Sequence, residues 1–153
     1  MPRHSETRQL PYSPEQLFDL VADVKRYPEF LPWVSAIRVR ASSDKEIVAD
    51  MVVGFKAFKE RFTSKITLDR PQHLRVDYVE GPLKYLQNDW RFEPDGEGGT
   101  KLHFCVDFAF KNRLFETVAG QMFDRALRRM TDAFIDRADA LYGSESSKAV
   151  SVA

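Results

Sequence analysis

Two periodicities divide the chain. Near the start, Leu17, Leu20, Val21 and Val24 recur at helical spacing. Just ahead of them Ser13-Pro14-Glu15-Gln16 has the chemistry of a helix start: Ser13 as the cap, Pro14 at the first helical position, and Gln16 three residues after the cap. Pro28 and Pro32 bracket Glu29-Phe30-Leu31, so the helix is predicted to stop near Tyr27, leaving Tyr27 to Trp33 as a helical linker. A short strand is expected before this helix, near Arg3 to Leu10. From Trp33 to Phe110 the period changes to two. Ile47, Ala49, Met51, Val53 and Phe55 alternate with more polar neighbours, and Phe58, Phe62, Ile66 and Leu68 continue the pattern. Leu74, Val76 and Tyr78, then Leu86, Trp90 and Phe92, then Leu102, Phe104, Val106, Phe108 and Phe110 mark further strands. Ser42-Ser43-Asp44-Lys45, Asp69-Arg70-Pro71-Gln72 and Asp95-Gly96-Glu97-Gly98-Gly99 separate them, and such short links imply an antiparallel meander.

A sheet of this kind has one wet and one dry face, and the dry face needs a cover. The last periodic segment supplies it. Beyond Asn112, a candidate cap, Phe115, Val118, Met122, Phe123, Leu127, Met130, Phe134 and Leu141 fall on one side of a helix. At the usual rise, its roughly 30 residues make it about 45 Å long. Gly54 and Gly81 lie beside strands, where glycine permits sharp bending. The expected fold is therefore α+β: a curved antiparallel sheet of about six or seven strands wrapped around a long C-terminal helix. One domain is expected over residues 1–143, and 144–153, small, polar and aperiodic, read as a disordered tail.

Composition sharpens the picture where it touches chemistry. The 153 residues include 12 Phe, 5 Tyr and 2 Trp, so some part of the fold is lined with rings. Lys plus Arg and Asp plus Glu are 23 each, which leaves no net field to gather phosphates and argues against a DNA partner. A lone cysteine, Cys105, excludes an internal disulfide, and with three scattered histidines it makes no four-ligand zinc site of the usual spacing. No apolar run has the length of a membrane span or the position of a signal peptide, so a cytoplasmic location is expected.

The chain has no phosphate loop, nucleophile elbow, paired-histidine metal motif or CxxC. His103 and Cys105 share a parity opposite to Leu102 and Phe104, which places them on the wet face and leaves them without the third partner that a reactive pair needs. Asp50, Glu60, Asp77, Asp89 and Asp107 stand singly in strands. Arg125, Arg128 and Arg129 form a basic cluster on the late helix, diluted by Asp124 and Asp132. The inward positions are apolar apart from Ser64 and Asn88. Periodicity alone does not separate a packed core from a ligand cavity of the same composition.

Tyr27-Pro28-Glu29-Phe30-Leu31-Pro32-Trp33, Gly81-Pro82-Leu83-Lys84-Tyr85-Leu86 with Trp90-Arg91-Phe92, and Ala133-Phe134-Ile135-Asp136-Arg137-Ala138 with Tyr142-Gly143 resemble a branch of the START-like (helix-grip) superfamily. That branch holds the coenzyme Q-binding proteins and the ribosome-association toxins, within the polyketide cyclase/dehydrase-like group. The likeness covers residues 3 to 143. The chain departs from the branch at Val34, where a cysteine is frequent, and at Leu83, where an aromatic is common. The resemblance implies non-catalytic binding of ubiquinone or another polyprenyl lipid in a tunnel between sheet and helix, in support of quinone synthesis or of delivery to respiration. Ubiquinone enters as a bound ligand, with no catalytic cofactor or metal, and brief contact with the cytoplasmic face of the inner membrane follows. The implied lining is Phe30 and Trp33 from the linker, with Phe55, Phe62, Leu86, Trp90, Phe104 and Phe108 from the sheet, and Phe123, Leu127 and Phe134 from the helix. The same branch implies a second function, binding a ribosomal subunit and blocking subunit association. A third, polyketide cyclase-like catalysis, would need polar side chains converging in the cavity.

Overall fold

The structure is a computed structural model. It describes the backbone of residues 3–55 and 58–152, and the side chains within those ranges except at 55, 58, 115, 118, 119, 122, 123 and 144–152. In chain order the elements are β1 (Arg3–Leu10), α1 (Pro14–Ala22), a 3₁₀ turn (Val24–Glu29), β2 (Val34–Ser42), β3 (Glu46–Phe55), β4 (Phe58–Asp69), β5 (His73–Glu80), β6 (Leu83–Pro94), β7 (Thr100–Phe110) and α2 (Arg113–Val152). The strands make one antiparallel sheet in the order β1-β7-β6-β5-β4-β3-β2. Strands β2 to β7 are the expected meander, and β1 returns to pair beside β7.

Side-chain alternation turns this register into rows across the concave face. Phe104 lies opposite Trp90, which lies opposite Leu74. Val106, Asn88, Val76, Ile66 and Ile47 make the next row, and Phe62 faces Met51 beyond it. The outer face carries the residues between them. His103 and Cys105 are on that outer face, opposite in sense to buried Leu102 and Phe104.

Helix α1 begins as its sequence predicts. The Ser13 hydroxyl accepts from the Gln16 amide N–H at 3.1 Å, and the Gln16 side chain accepts from the Ser13 N–H at 3.0 Å, two otherwise unpaired donors satisfied together. Its buried residues Leu17, Phe18, Leu20 and Val21 pack on the sheet, with Phe18 edge-on to Phe92 at 5.7 Å. The helix ends earlier than the prolines suggest. Asp23 leaves helical geometry at φ −82°, ψ 67°, and the chain continues as the 3₁₀ turn with Pro28 inside it. The tighter turn absorbs the proline that an α-helix would not.

α2 lies against the concave face through its middle and the turns that follow. Leu127, Thr131, Phe134 and Ala138 are buried. Leu141, expected on this stripe, is 44% exposed, and Tyr142 packs in its place, 6.0 Å from the ring of Tyr12. At 3.6 residues per turn Leu141 and Tyr142 flank the midline of this stripe on opposite sides, and the Tyr12 ring stands on the Tyr142 side. Three side-chain bonds pin this part: Arg8 to Asp132 at 2.7 Å, Arg137 to Glu29 at 2.8 Å, and the Tyr12 hydroxyl to Asp139. The helix has 40 residues, about 60 Å at the usual rise and longer than the sequence suggests. Its backbone takes in residues 144–152, where an irregular tail is expected, while the side chains there lie outside the described residues.

On the outer face one carboxylate is buried. Asp50, 4% exposed, accepts from Thr63 Oγ1 at 2.6 Å and Arg40 Nε at 2.7 Å, tying β2, β3 and β4 together. The Thr63 hydrogen bond, with Arg40 behind it, holds the Asp50 carboxyl below its ordinary value of 3.8. A group depressed in the folded state stabilises the fold above its unfolded value, and that contribution is lost as pH falls through the folded one. Thermal melts of Asp50→Asn between about pH 5 and pH 2 should therefore show a shallower acid dependence than the parent. Identical slopes would mean that Asp50 titrates alike in both states.

Candidate functional site

Between the concave face and α2 the packing leaves an apolar cavity of about 130 Å³. Its floor is Ala49, Met51, Phe62, Ile66, Val76 and Val106 of the sheet, and its roof is Ala126, Leu127, Met130 and Phe134 of α2. Val24, Tyr27 and Trp33 close one end. Rings make the frame. Trp90 stands edge-on to Phe104 at 4.7 Å and to Phe134 at 4.9 Å, and Tyr27 meets Phe134 at 5.3 Å. The edge-to-face geometry locks large, stiff groups that do not slump to fill the void, because each ring is already held on two sides.

The polar atoms at the wall are mostly spoken for. Trp90 Nε1 donates to Asn88 Oδ1 at 2.8 Å, and Asn88 Nδ2 donates to the Cys105 carbonyl at 2.9 Å. The Tyr27 hydroxyl donates to the Val21 carbonyl, and the Tyr78 hydroxyl accepts from the Leu83 N–H at 2.9 Å. Burial raises both phenols above the ordinary tyrosine value, so both stay neutral at physiological pH. The Ser64 hydroxyl makes no hydrogen bond among the described residues and is the one left to greet a guest. The described lining has no histidine, cysteine, carboxylate, lysine or arginine. The arrangement can enclose an apolar group and offer it one hydroxyl.

Of the expected lining, Trp33, Phe62, Leu86, Trp90, Phe104, Leu127 and Phe134 border this cavity. Phe30 does not. It packs against Phe134 at 5.1 Å with the Arg137 guanidinium over its ring, outside the cavity. Phe108 does not either; it is buried against Phe110 at 5.6 Å, beyond the end of the void. The side chains of Phe55 and Phe123 lie outside the described residues. Tyr78, Val76 and Met130 are lining positions not singled out from the sequence. Their alternation made them inward-facing, but only the curvature of the sheet decides which inward residues meet a void and which meet each other.

The remaining chemistry-bearing groups stand apart from the cavity. His103 bonds Glu93 at 2.9 Å and Thr7 at 3.2 Å, and His73 bonds Asp89 at 2.7 Å, all on the outer face. Cys105 is approached by Arg3 at 3.8 Å, not by His103. Arg128 of the basic cluster is paired with Asp124 at 2.9 Å. Among the described residues no helix is long and apolar enough to cross a membrane.

Comparison with known proteins agrees with this geometry. The family described as "Polyketide cyclase / dehydrase and lipid transport" matches residues 10–135. The ribosome association toxin RatA of Pseudomonas aeruginosa is 38% identical over 134 residues, covering 88% of this chain and 93% of that protein. The mitochondrial coenzyme Q-binding protein COQ10 homolog B of Xenopus laevis is 34% identical over 146 residues, covering 93% of this chain and 60% of that protein. A START superfamily protein from Mycobacterium smegmatis superposes with a TM-score of 0.73 over 91% of this chain and 98% of its own, at 17% identity, a likeness of fold alone. With a curved antiparallel sheet gripping one long helix over an apolar cavity, the chain belongs to the START-like polyketide cyclase/dehydrase and lipid transport family.

Proposed function

We propose that the protein binds a polyprenyl quinone or a lipid of similar shape and does not transform it. The observation that carries this reading is the cavity itself: a ring-lined space whose described wall holds one unengaged hydroxyl and no histidine, cysteine, carboxylate or lysine to activate it. Each buried methylene contributes about 0.8 kcal/mol, so a long isoprenoid tail has ample drive to leave water for such a site. The relative named as a coenzyme Q-binding protein points to the same ligand class.

The cavity is smaller than the roughly 300 to 1,000 Å³ of ordinary ligand pockets, so it seats a head group or a short stretch of tail before anything moves. More room comes from α2. Its pins to Arg8, Glu29 and Tyr12 lie at Asp132, Arg137 and Asp139, and ahead of Ala126 the outward residues Arg113, Leu114, Glu116, Thr117 and Gln121 are exposed. Swinging the stretch ahead of Ala126 outward would lengthen the cavity without breaking the pins.

A second reading, contact with a ribosomal subunit, is favoured by the relatives named as ribosome association toxins. The outer face of β2 to β4 suits it better than the α2 cluster. There Arg38, Arg40, Lys59, Arg61 and Lys65 are exposed on one side of the sheet, against the covered Asp50 and a Glu46 already paired with Lys65 at 3.5 Å. Such a patch matches a phosphate backbone.

Two measurements separate the readings. Native mass spectrometry and solvent extraction of protein from a quinone-producing host should find a stoichiometric quinone, and Ala126→Phe, which puts a ring into the cavity roof, should lose it while melting cooperatively. Absence of bound lipid even after a short-tailed quinone is added would end the carrier reading. For the second, co-sedimentation with ribosomal subunits should weaken with salt, and the double substitution Arg38→Glu with Arg61→Glu should reduce the salt slope by about one for each phosphate that is no longer neutralised. Salt-independent or absent co-sedimentation would remove the ribosome from consideration.

A further inference from the structure

The ladder between β5 and β6 ends early. Its last pair is Asp77 opposite Gln87, although β5 runs to Glu80 and β6 begins at Leu83. Both strands are bulged at this point. On β5, Tyr78 pairs with Ser64 and Glu80 with Thr63, so Val79 is an extra residue. On β6, Leu83 pairs with Phe110 and Tyr85 with Ala109, so Lys84 is extra. A bulge bends its strand. Each of these strands bends while held to its other neighbour, and the two part, leaving a slot in the wall of the sheet.

Tyr78 fills that slot. Its ring stands edge-on to Phe62 at 6.2 Å and borders the inner cavity, while its hydroxyl reaches across to accept the Leu83 N–H at 2.9 Å. Gly81, at φ +148°, lets the connecting hairpin close over the hydroxyl: a Cβ there would sit 2.9 Å from Tyr78 Oη and 3.0 Å from the Arg61 carbonyl oxygen. Outside the slot lies a cleft of about 470 Å³ that shares Tyr78, Leu83 and Leu86 with the slot and hairpin and adds Gln87, Lys84 and Lys111. Tyr78 and Leu86 also line the inner cavity, so one layer of side chains separates the two spaces. The charged groups of the cleft are Asp77, Glu80, Lys84 and Lys111, two of each sign, with Asp77 already bonded to Arg75 at 3.2 Å. Such a cleft has no net field for an ion, yet its lysine and amide N–H groups can donate to neutral oxygens. Val79, 59% exposed, makes an apolar rim.

We propose that this slot is a side portal to the cavity with Tyr78 as its plug, and that the outer cleft seats the neutral, carbonyl- or hydroxyl-bearing head of a ligand whose chain lies within. The proposal rests on the cavity being the ligand site, and the plug adds a route that the helix swing does not provide. With Tyr78 turned aside, a flat head passes between β5 and β6 without α2 moving.

The test uses a decyl-tailed benzoquinone as probe and quenching of tryptophan fluorescence in stopped flow as readout. Tyr78→Ala should speed both uptake and release, uptake by about tenfold, and the faster uptake is the mark of a gate, since loss of a wall contact alone raises release and leaves uptake unchanged. Tyr78→Phe, which keeps the ring and loses the bond to Leu83, folds under milder demand and should speed them less. Bound probe should also slow acetylation of Lys84 and Lys111 relative to Lys25 and Lys101. Unchanged uptake, whatever happens to release, would overturn the portal and leave the cavity reading standing. Faster exchange without protection of Lys84 and Lys111 would overturn the head-group seat. No quenching in the parent protein would overturn both this proposal and the cavity reading.

Discussion

One helix has to dry the concave face of seven strands. At about 4.8 Å between strands a flat sheet of this size is about 34 Å across, and a helix with its side chains covers only about 10 to 12 Å of it. The difference sets the terms for everything else. The sheet curves to bring its flanks toward α2, α1 and the 3₁₀ turn cover the part that α2 does not reach, and large rings stand between the layers. Trp90, Phe104, Phe134 and Tyr27 brace one another edge to face across that gap. Rings held on two sides do not collapse inward, and the space they leave is the cavity. The cavity is thus a by-product of the packing problem, kept open because its walls are stiff.

The same constraint explains where charge enters the interior. β1 lies at the far edge, beyond good reach of the helix, and its inward residues His4, Glu6 and Arg8 sit opposite Val106, Phe104 and Leu102 of β7. Contact with α2 is made there by Arg8 and Asp132 instead of by an apolar pair. Together with Arg137 on Glu29 and Tyr12 on Asp139, this seam fixes α2 by directional bonds at its rim, while the apolar stripe from Leu127 to Ala138 holds it from beneath.

Much of this is legible from the residues. The capped start at Ser13, the strand sequence from Ile47 to Phe110 and the apolar stripe around Leu127 and Phe134 follow from periodicity and local chemistry, and the structure places them as expected. What periodicity lacks is distance. It says that Phe104 and Phe108 share a face, but Phe104 meets the void and Phe108 meets Phe110, a difference that depends on how far the cavity extends along the strand. Phe30 stands beside Trp33 in sequence yet faces the outer side of Phe134, since the 3₁₀ turn, unlike an α-helix, redirects the residues that follow Pro28. Leu141 leaves the stripe for a smaller reason: it and Tyr142 flank the stripe on opposite sides, and the Tyr12 ring that meets Tyr142 comes from the far end of the chain. The bulges at Val79 and Lys84 leave no mark in composition at all, being set by pairing with β4 and β7.

An open sheet leaves two edges, and here the meander ends on β2. Its pairing with β3 slips twice, at Ser35 and at Arg40, so the strand carries two surplus residues within nine. Each slip twists the free edge and breaks the even spacing of its outward amides and carbonyls. A foreign strand arriving there meets no long, flat run of donors and acceptors to copy, and the arginines at 38 and 40 add like-charge repulsion against a second copy of the same edge. The irregularity that aims Arg40 at Asp50 therefore also guards a ring-rich chain against growing into a fibre through its own margin.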